Sequence, residues 1–118
     1  MKRILSLTFL SLTLAATHVQ AVESSCPSAW LGRPLVSGYV LDGPLQDNAI
    51  LEEDAGGTKN DREFATWQVA YVYDDGRQIT LECRYRGATE PIAIVVVEPV
   101  KTCSYSKSKT GAVELGCQ

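Results

Sequence analysis

Thr66-Trp67-Gln68-Val69-Ala70-Tyr71-Val72-Tyr73, then Asp74-Asp75-Gly76-Arg77, then Gln78-Ile79-Thr80-Leu81-Glu82-Cys83-Arg84-Tyr85-Arg86 is the stretch that decides the fold class. Two runs rich in β-branched and aromatic residues flank an Asp-Gly pair, the pattern of a β-hairpin. A two-residue loop would set Trp67, Tyr71 and Tyr73 opposite polar partners. A three-residue loop, with Gly76 in the left-handed region, moves the pairing by one residue. Trp67 then faces Cys83, Val69 faces Leu81 and Tyr71 faces Ile79. Gln68/Glu82, Ala70/Thr80 and Val72/Gln78 are left to solvent. Because a one-residue slip exchanges the faces, the apolar pattern selects the longer loop.

Working outward, Gly87-Ala88-Thr89-Glu90 turns the next hairpin and brings Leu81, Cys83 and Tyr85 opposite Val96, Ile94 and Ile92. Lys109-Thr110-Gly111 as a three-residue loop puts Tyr105 opposite Leu115 and Cys103 opposite Cys117. The strands predicted are 36–41, 49–53, 66–73, 78–86, 92–98, 102–107 and 112–117. Asp42-Gly43-Pro44 turns between the first two, and Glu52 to Glu63 is expected to be the least ordered stretch. Short strands at this spacing, with no sustained 3.6-residue period, indicate an all-β fold: a small antiparallel β-sandwich or barrel-like domain.

Four cysteines follow the first 21 residues: Cys26, Cys83, Cys103 and Cys117. An even number in a short exported chain reads as two disulfides, and no C-x-x-C pair argues for zinc. Facing residues of an antiparallel pair lie about 4.5–5.5 Å apart at Cα, within disulfide reach, which favours Cys103–Cys117. Cys26–Cys83 is then the remaining pair; nested Cys26–Cys117 with Cys83–Cys103 is the next alternative.

The N-terminus sets the compartment. Lys2 and Arg3 precede a 13-residue apolar run, Ile4 to Ala16, and Val19-Gln20-Ala21 supplies a small-residue cleavage site. This three-part pattern is that of a signal peptide over residues 1–21, and the run is short of the ~20 residues needed to cross a bilayer. Residues 22–118 are expected to form a single disulfide-stabilised domain, with no membrane insertion of the mature chain. Cleavage leaves 9 basic against 14 acidic residues, a net charge of −5. That sign disfavours nucleic acid and anionic membrane surfaces. The only histidine, His18, departs with the leader. The mature chain thus lacks the commonest metal ligand and general base, and no Ser-His-Asp or Cys-His arrangement can be built.

Cys26-Pro27, Trp30, Gly32 and Pro34-Leu35 begin a spaced pattern. It continues through Asp42-Gly43-Pro44, Ala49, Leu51, Trp67, Cys83-Arg84-Tyr85-Arg86-Gly87 and Thr102-Cys103. It resembles an uncharacterised family of small exported proteins of Gram-negative bacteria, across nearly the whole mature chain. The resemblance implies a periplasmic location, with secretion as the alternative, and no activity.

Candidate ligand contacts are Trp30, Arg84 and Arg86. Trp30 sits among Pro and Gly residues that suggest a loop, whereas Trp67 falls on the inward strand face and reads as core. Arg84 and Arg86 share a strand face with Glu82 and Thr80, from which they would grip a carboxylate. Glu52-Glu53-Asp54 with Asp61 and Glu63 is a carboxylate-rich loop, but its spacing does not match a calcium motif. Ser106 and Ser108 alternate with Lys107, so neighbours point to opposite faces and form no Ser/Lys dyad. No catalytic residue, metal site or cofactor is assigned.

The sequence therefore reads as a non-catalytic exported binding module, an enzyme inhibitor among the options, whose partner is a periplasmic or extracellular protein or small ligand. Two alternatives remain. A small carboxylate-dependent hydrolase would show a deep pocket lined by two acids. An assembly subunit pairing by strand addition would show an unpaired, uncharged edge strand.

Overall fold

Buried and exposed side chains alternate clearly in β6 (Ile92–Val96) and β8 (Val113–Cys117), two of eight strands. The computed structural model describes residues 23–118, so the expected signal peptide over residues 1–21 lies outside the described residues. In chain order the elements are β1 (Ala29–Trp30), β2 (Arg33–Asp42), β3 (Ala55–Lys59), β4 (Arg62–Gln68), α1 (Ala70–Asp74), β5 (Ile79–Tyr85), β6 (Ile92–Val96), β7 (Thr102–Lys107) and β8 (Val113–Cys117). They form two four-stranded antiparallel sheets, ordered β1-β2-β5-β6 and β3-β4-β7-β8. The all-β, two-disulfide architecture expected from the sequence is what the structure has.

One apolar core joins the inner faces. Val40, Leu81 and Val96 from the first sheet share it with Trp67, Cys103 and Leu115 from the second. Gly38 on β2 permits close packing. A Cβ there would lie 2.6 Å from Leu115 Cδ2 and 2.8 Å from the Glu82 carbonyl oxygen, so a side chain would displace Leu115 and strain the β2–β5 pairing. Trp67 is buried as expected, its indole N–H donating to the Leu51 carbonyl at 3.2 Å.

Both expected disulfides are present. Cys103 stands opposite Cys117 across β7–β8, with Cα atoms 3.9 Å apart, and Tyr105 faces Leu115. Cys26 bonds to Cys83 in β5. The segment carrying Cys26 also lies along β8, through the Cys26 N–H to Leu115 O and the Cys117 N–H to Ser24 O bonds. This staple therefore connects the two sheets.

The hairpin expected over 66–86 does not form. Thr66–Gln68 end β4 in the second sheet, where Trp67 faces Cys103 rather than Cys83, and β5 lies in the first sheet between β2 and β6. Val69, Val72 and Tyr73 recur at i, i+3 and i+4, and α1 uses that spacing. Val69 and Val72 are fully buried, while Tyr71 points outward. The Asp-Gly signal belongs to the helix end. Gly76 (φ 80°) donates to Tyr73 O at 2.9 Å, and Arg77 N donates to Val72 O at 2.9 Å. These are the two bonds of a Schellman cap, which needs a left-handed glycine just as the expected loop did. Tyr73 Oη then ties α1 to the first sheet, donating to Val96 O at 2.8 Å and accepting from Ile79 N at 3.3 Å.

Three smaller expectations are corrected. Residues 54–63, expected to carry no strand, supply β3 and the start of β4 around Asn60 and Asp61, both left-handed (φ 53° and 61°). Residues 49–53 make only a single bridge, Ile50 with Leu41, before the chain leaves for the other sheet. The β5–β6 register differs by two residues, with Leu81 opposite Ile94 and Cys83 opposite Ile92. An even shift preserves the faces, so Leu81, Cys83, Ile94 and Val96 stay buried as expected.

Candidate binding surface

The first hairpin among the described residues turns on a two-residue loop. Trp30 faces Arg33 across it, and Leu31 and Gly32 both take positive φ, 50° and 75°. That is the primed turn favoured by strand twist, and Gly32 suits it. Leu31 does not: a branched side chain in the left-handed region costs about 1–2 kcal/mol. Its side chain is nevertheless 86% exposed, the most of any large apolar residue described, and Trp30 beside it is 41% exposed.

The base of this tip is rigid. Leu35 N donates to Ser28 O at 2.9 Å, Tyr85 Oη donates to Pro27 O at 2.8 Å, and the Cys26–Cys83 bond lies just below. Burial, followed by the negative charge of Glu23, pushes the Tyr85 phenol up from its ordinary value, so it stays a donor.

Two of the three expected contact residues converge here. Arg86 N donates to Pro34 O at 3.0 Å, which sets Arg86 beside the β1–β2 hairpin that carries Trp30. Arg33 joins them: its Nη1 donates to Arg86 O at 3.0 Å and rests over Gly87, where a Cβ would sit 2.5 Å away. Among the described residues neither guanidinium has a carboxylate within ion-pair distance. Trp30, Tyr85, Glu90 and Ile92 border a shallow hollow of about 400 Å³. Leu31 and Arg33 were not singled out from the sequence; the signal available was Gly32 between Trp30 and Arg33, a glycine at the second position of a two-residue loop.

Arg84 is placed differently. It bonds to Glu82 at 3.0 Å and lies 5.6 Å from the Tyr39 ring centroid. The strand face expected to carry Thr80 and Glu82 into solvent does not: they are 2% and 6% exposed. Thr80 borders a hollow shared with Pro44 and Arg77, brought there by the Arg77–Asp42 pair at 2.7 Å, while Glu82 lies beneath Arg84. A buried carboxylate needs such a partner, so Arg84 has an internal task.

Two other surfaces stand out. A groove of about 550 Å³ runs between Tyr39 of β2 and Phe64 of β4, with Glu52, Glu53 and Glu63 along it. Burial and the Glu63 charge hold the Tyr105 phenol there above its ordinary value. No hydrogen bond to these three carboxylates occurs among the described residues, so nothing orients one as acid and another as base. The second is β6, an edge strand without charge, where Val95 and, just past the strand's end, Val97 are exposed. Among the described residues no cluster of three or more His, Cys, Asp or Glu is arranged to hold a metal ion, and no helix is long and apolar enough to cross a membrane.

Comparison with curated proteins and with solved structures finds no match. A family comparison does: residues 28–118, which include all eight strands, match the family described as Type VI secretion system Tli immunity protein. The resemblance to an uncharacterised exported family is thereby corrected to a family of indicated function. A two-sheet domain with a rigid, solvent-facing tip is an architecture suited to binding, and by this match the chain belongs to the Type VI secretion system Tli immunity protein family.

Proposed function

We propose that this protein is a non-catalytic immunity protein that is exported to the periplasm, binds a type VI secretion effector there and blocks it. The observation that carries the reading is the family match over residues 28–118, which spans both sheets. The disulfides Cys26–Cys83 and Cys103–Cys117 suit an oxidising compartment, and the N-terminal pattern supplies the route to it. Residues 1–21 act as the cleaved leader, and residues 22–118 are the working domain.

Contact-dependent competition tests this. Prey lacking the gene are mixed with isogenic, type VI-competent attackers and complemented with either the full chain or a form without residues 1–21. The full chain restores survival, the leaderless form does not, and intact mass of the protective protein begins at Val22. Equal prey survival with and without the gene would overturn the proposal.

A further inference from the structure

We infer that the Trp30–Leu31 tip is the anchor with which this chain enters its partner, and that the receiving surface is an apolar pocket rimmed by carboxylates. The inference rests on the immunity reading and adds the recognition chemistry. Leu31 combines two features that folding alone disfavours, a left-handed backbone (φ 50°) and 86% exposure. Strain retained at an exposed position points to a constraint outside the domain's own stability. Glycine or asparagine would relieve it, yet leucine stands there.

Rigidity supports the same conclusion. The disulfide, the Tyr85–Pro27 bond and the Leu35–Ser28 bond hold the tip in one arrangement, so little ordering entropy is lost when it docks. Trp30, Arg33 and Arg86 are residue types enriched at interface hot spots, and Leu31 adds exposed apolar surface beside them. On a mature chain of net charge −5, these two arginines have no carboxylate within ion-pair distance among the described residues. Charge complementarity therefore places acidic groups around the pocket that receives the tip. The glutamate groove and the β6 edge lack this conjunction of strain, rigidity and unpaired charge.

The competition assay, run with variants of the full chain, decides the matter. Leu31→Gly removes the side chain and the strain together. Its melting temperature stays at or above that of the unaltered protein, while prey survival falls towards that of prey without the gene. Trp30→Ala behaves likewise, reflecting binding weakened about 30-fold, the scale of truncating a central anchor. Arg86→Glu lowers survival with little change in melting. Val95→Lys, on β6, leaves protection intact. Full protection by folded Leu31→Gly and Trp30→Ala overturns the inference and leaves the immunity reading standing. Loss of protection by Val95→Lys with retention by Leu31→Gly overturns it in favour of strand addition. Failure of the unaltered chain to protect overturns both.

Discussion

Leu31-Gly32 and Asn60-Asp61 are both two-residue loops in which each residue has positive φ, and they cap hairpins of opposite sheets. At Asn60-Asp61 the residue types agree with the backbone, because short polar side chains tolerate the left-handed region. That tip needs no covalent support, and its one ion pair, Asp61 with Lys109 at 3.8 Å, is exposed and worth little. At Leu31-Gly32 the first residue disagrees with its backbone, yet a disulfide, a tyrosine hydroxyl and a backbone bond hold the loop in place. One tip is built for folding; the other keeps a shape at some cost to folding.

The largest effect expected from breaking this comparison comes from the staple. The Cys26–Cys83 bond closes 57 residues, worth about 4 kcal/mol in the chain-entropy description, against about 3 kcal/mol for the 14 residues of Cys103–Cys117. Denaturant titration of Cys26→Ala/Cys83→Ala should show the greater loss. Both pairs are substantial against the ~5–10 kcal/mol total usual for so small a domain. A larger loss from Cys103→Ala/Cys117→Ala would show that the N-terminal tip is held mainly by its hydrogen bonds.

Exchanging the turn chemistry sharpens the contrast at about 1 kcal/mol, with opposite signs. Leu31→Gly should raise the unfolding free energy or leave it unchanged. Asn60→Leu should lower it by about 1 kcal/mol, measured in the same titration. Equal destabilisation by both would mean that Leu31 packs against the domain after all.

The smallest effect is alkaline. Tyr85 beneath the first tip and Tyr105 beneath the groove both have phenols pushed up by burial, each with a nearby glutamate adding to it. A raised value means that the folded state holds its proton longer than the unfolded chain. This stabilisation is complete below pH 10 and is lost as pH rises through the folded-state value. Tyr85→Phe should flatten the decline of unfolding free energy as pH rises above 10. An unchanged slope would remove Tyr85 from the account.

The sequence by itself determined what short-range chemistry controls. The β7–β8 register follows from alternation on both sides of a three-residue loop ending in Gly111 (φ 89°), and that register places Cys103 against Cys117. The inward faces of β5 and β6 were legible for the same reason, even with the loop misjudged by two residues. Tertiary structure decided which strands become neighbours. Val69 and Tyr73 share a face in a strand and in a helix alike, with Tyr71 completing the strand face and Val72 the helical one, and Gly76 suits a hairpin loop or a helix cap equally. Local preference leaves those options nearly balanced. Burying Val69 and Val72 in the shared core, with Tyr73 bonded to Val96, tips the segment into a crossover between sheets. The exposure of Trp30 and Leu31 was likewise settled only in three dimensions. A side chain's accessibility depends on every element packed near it, and around this tip the fold leaves both residues open to solvent.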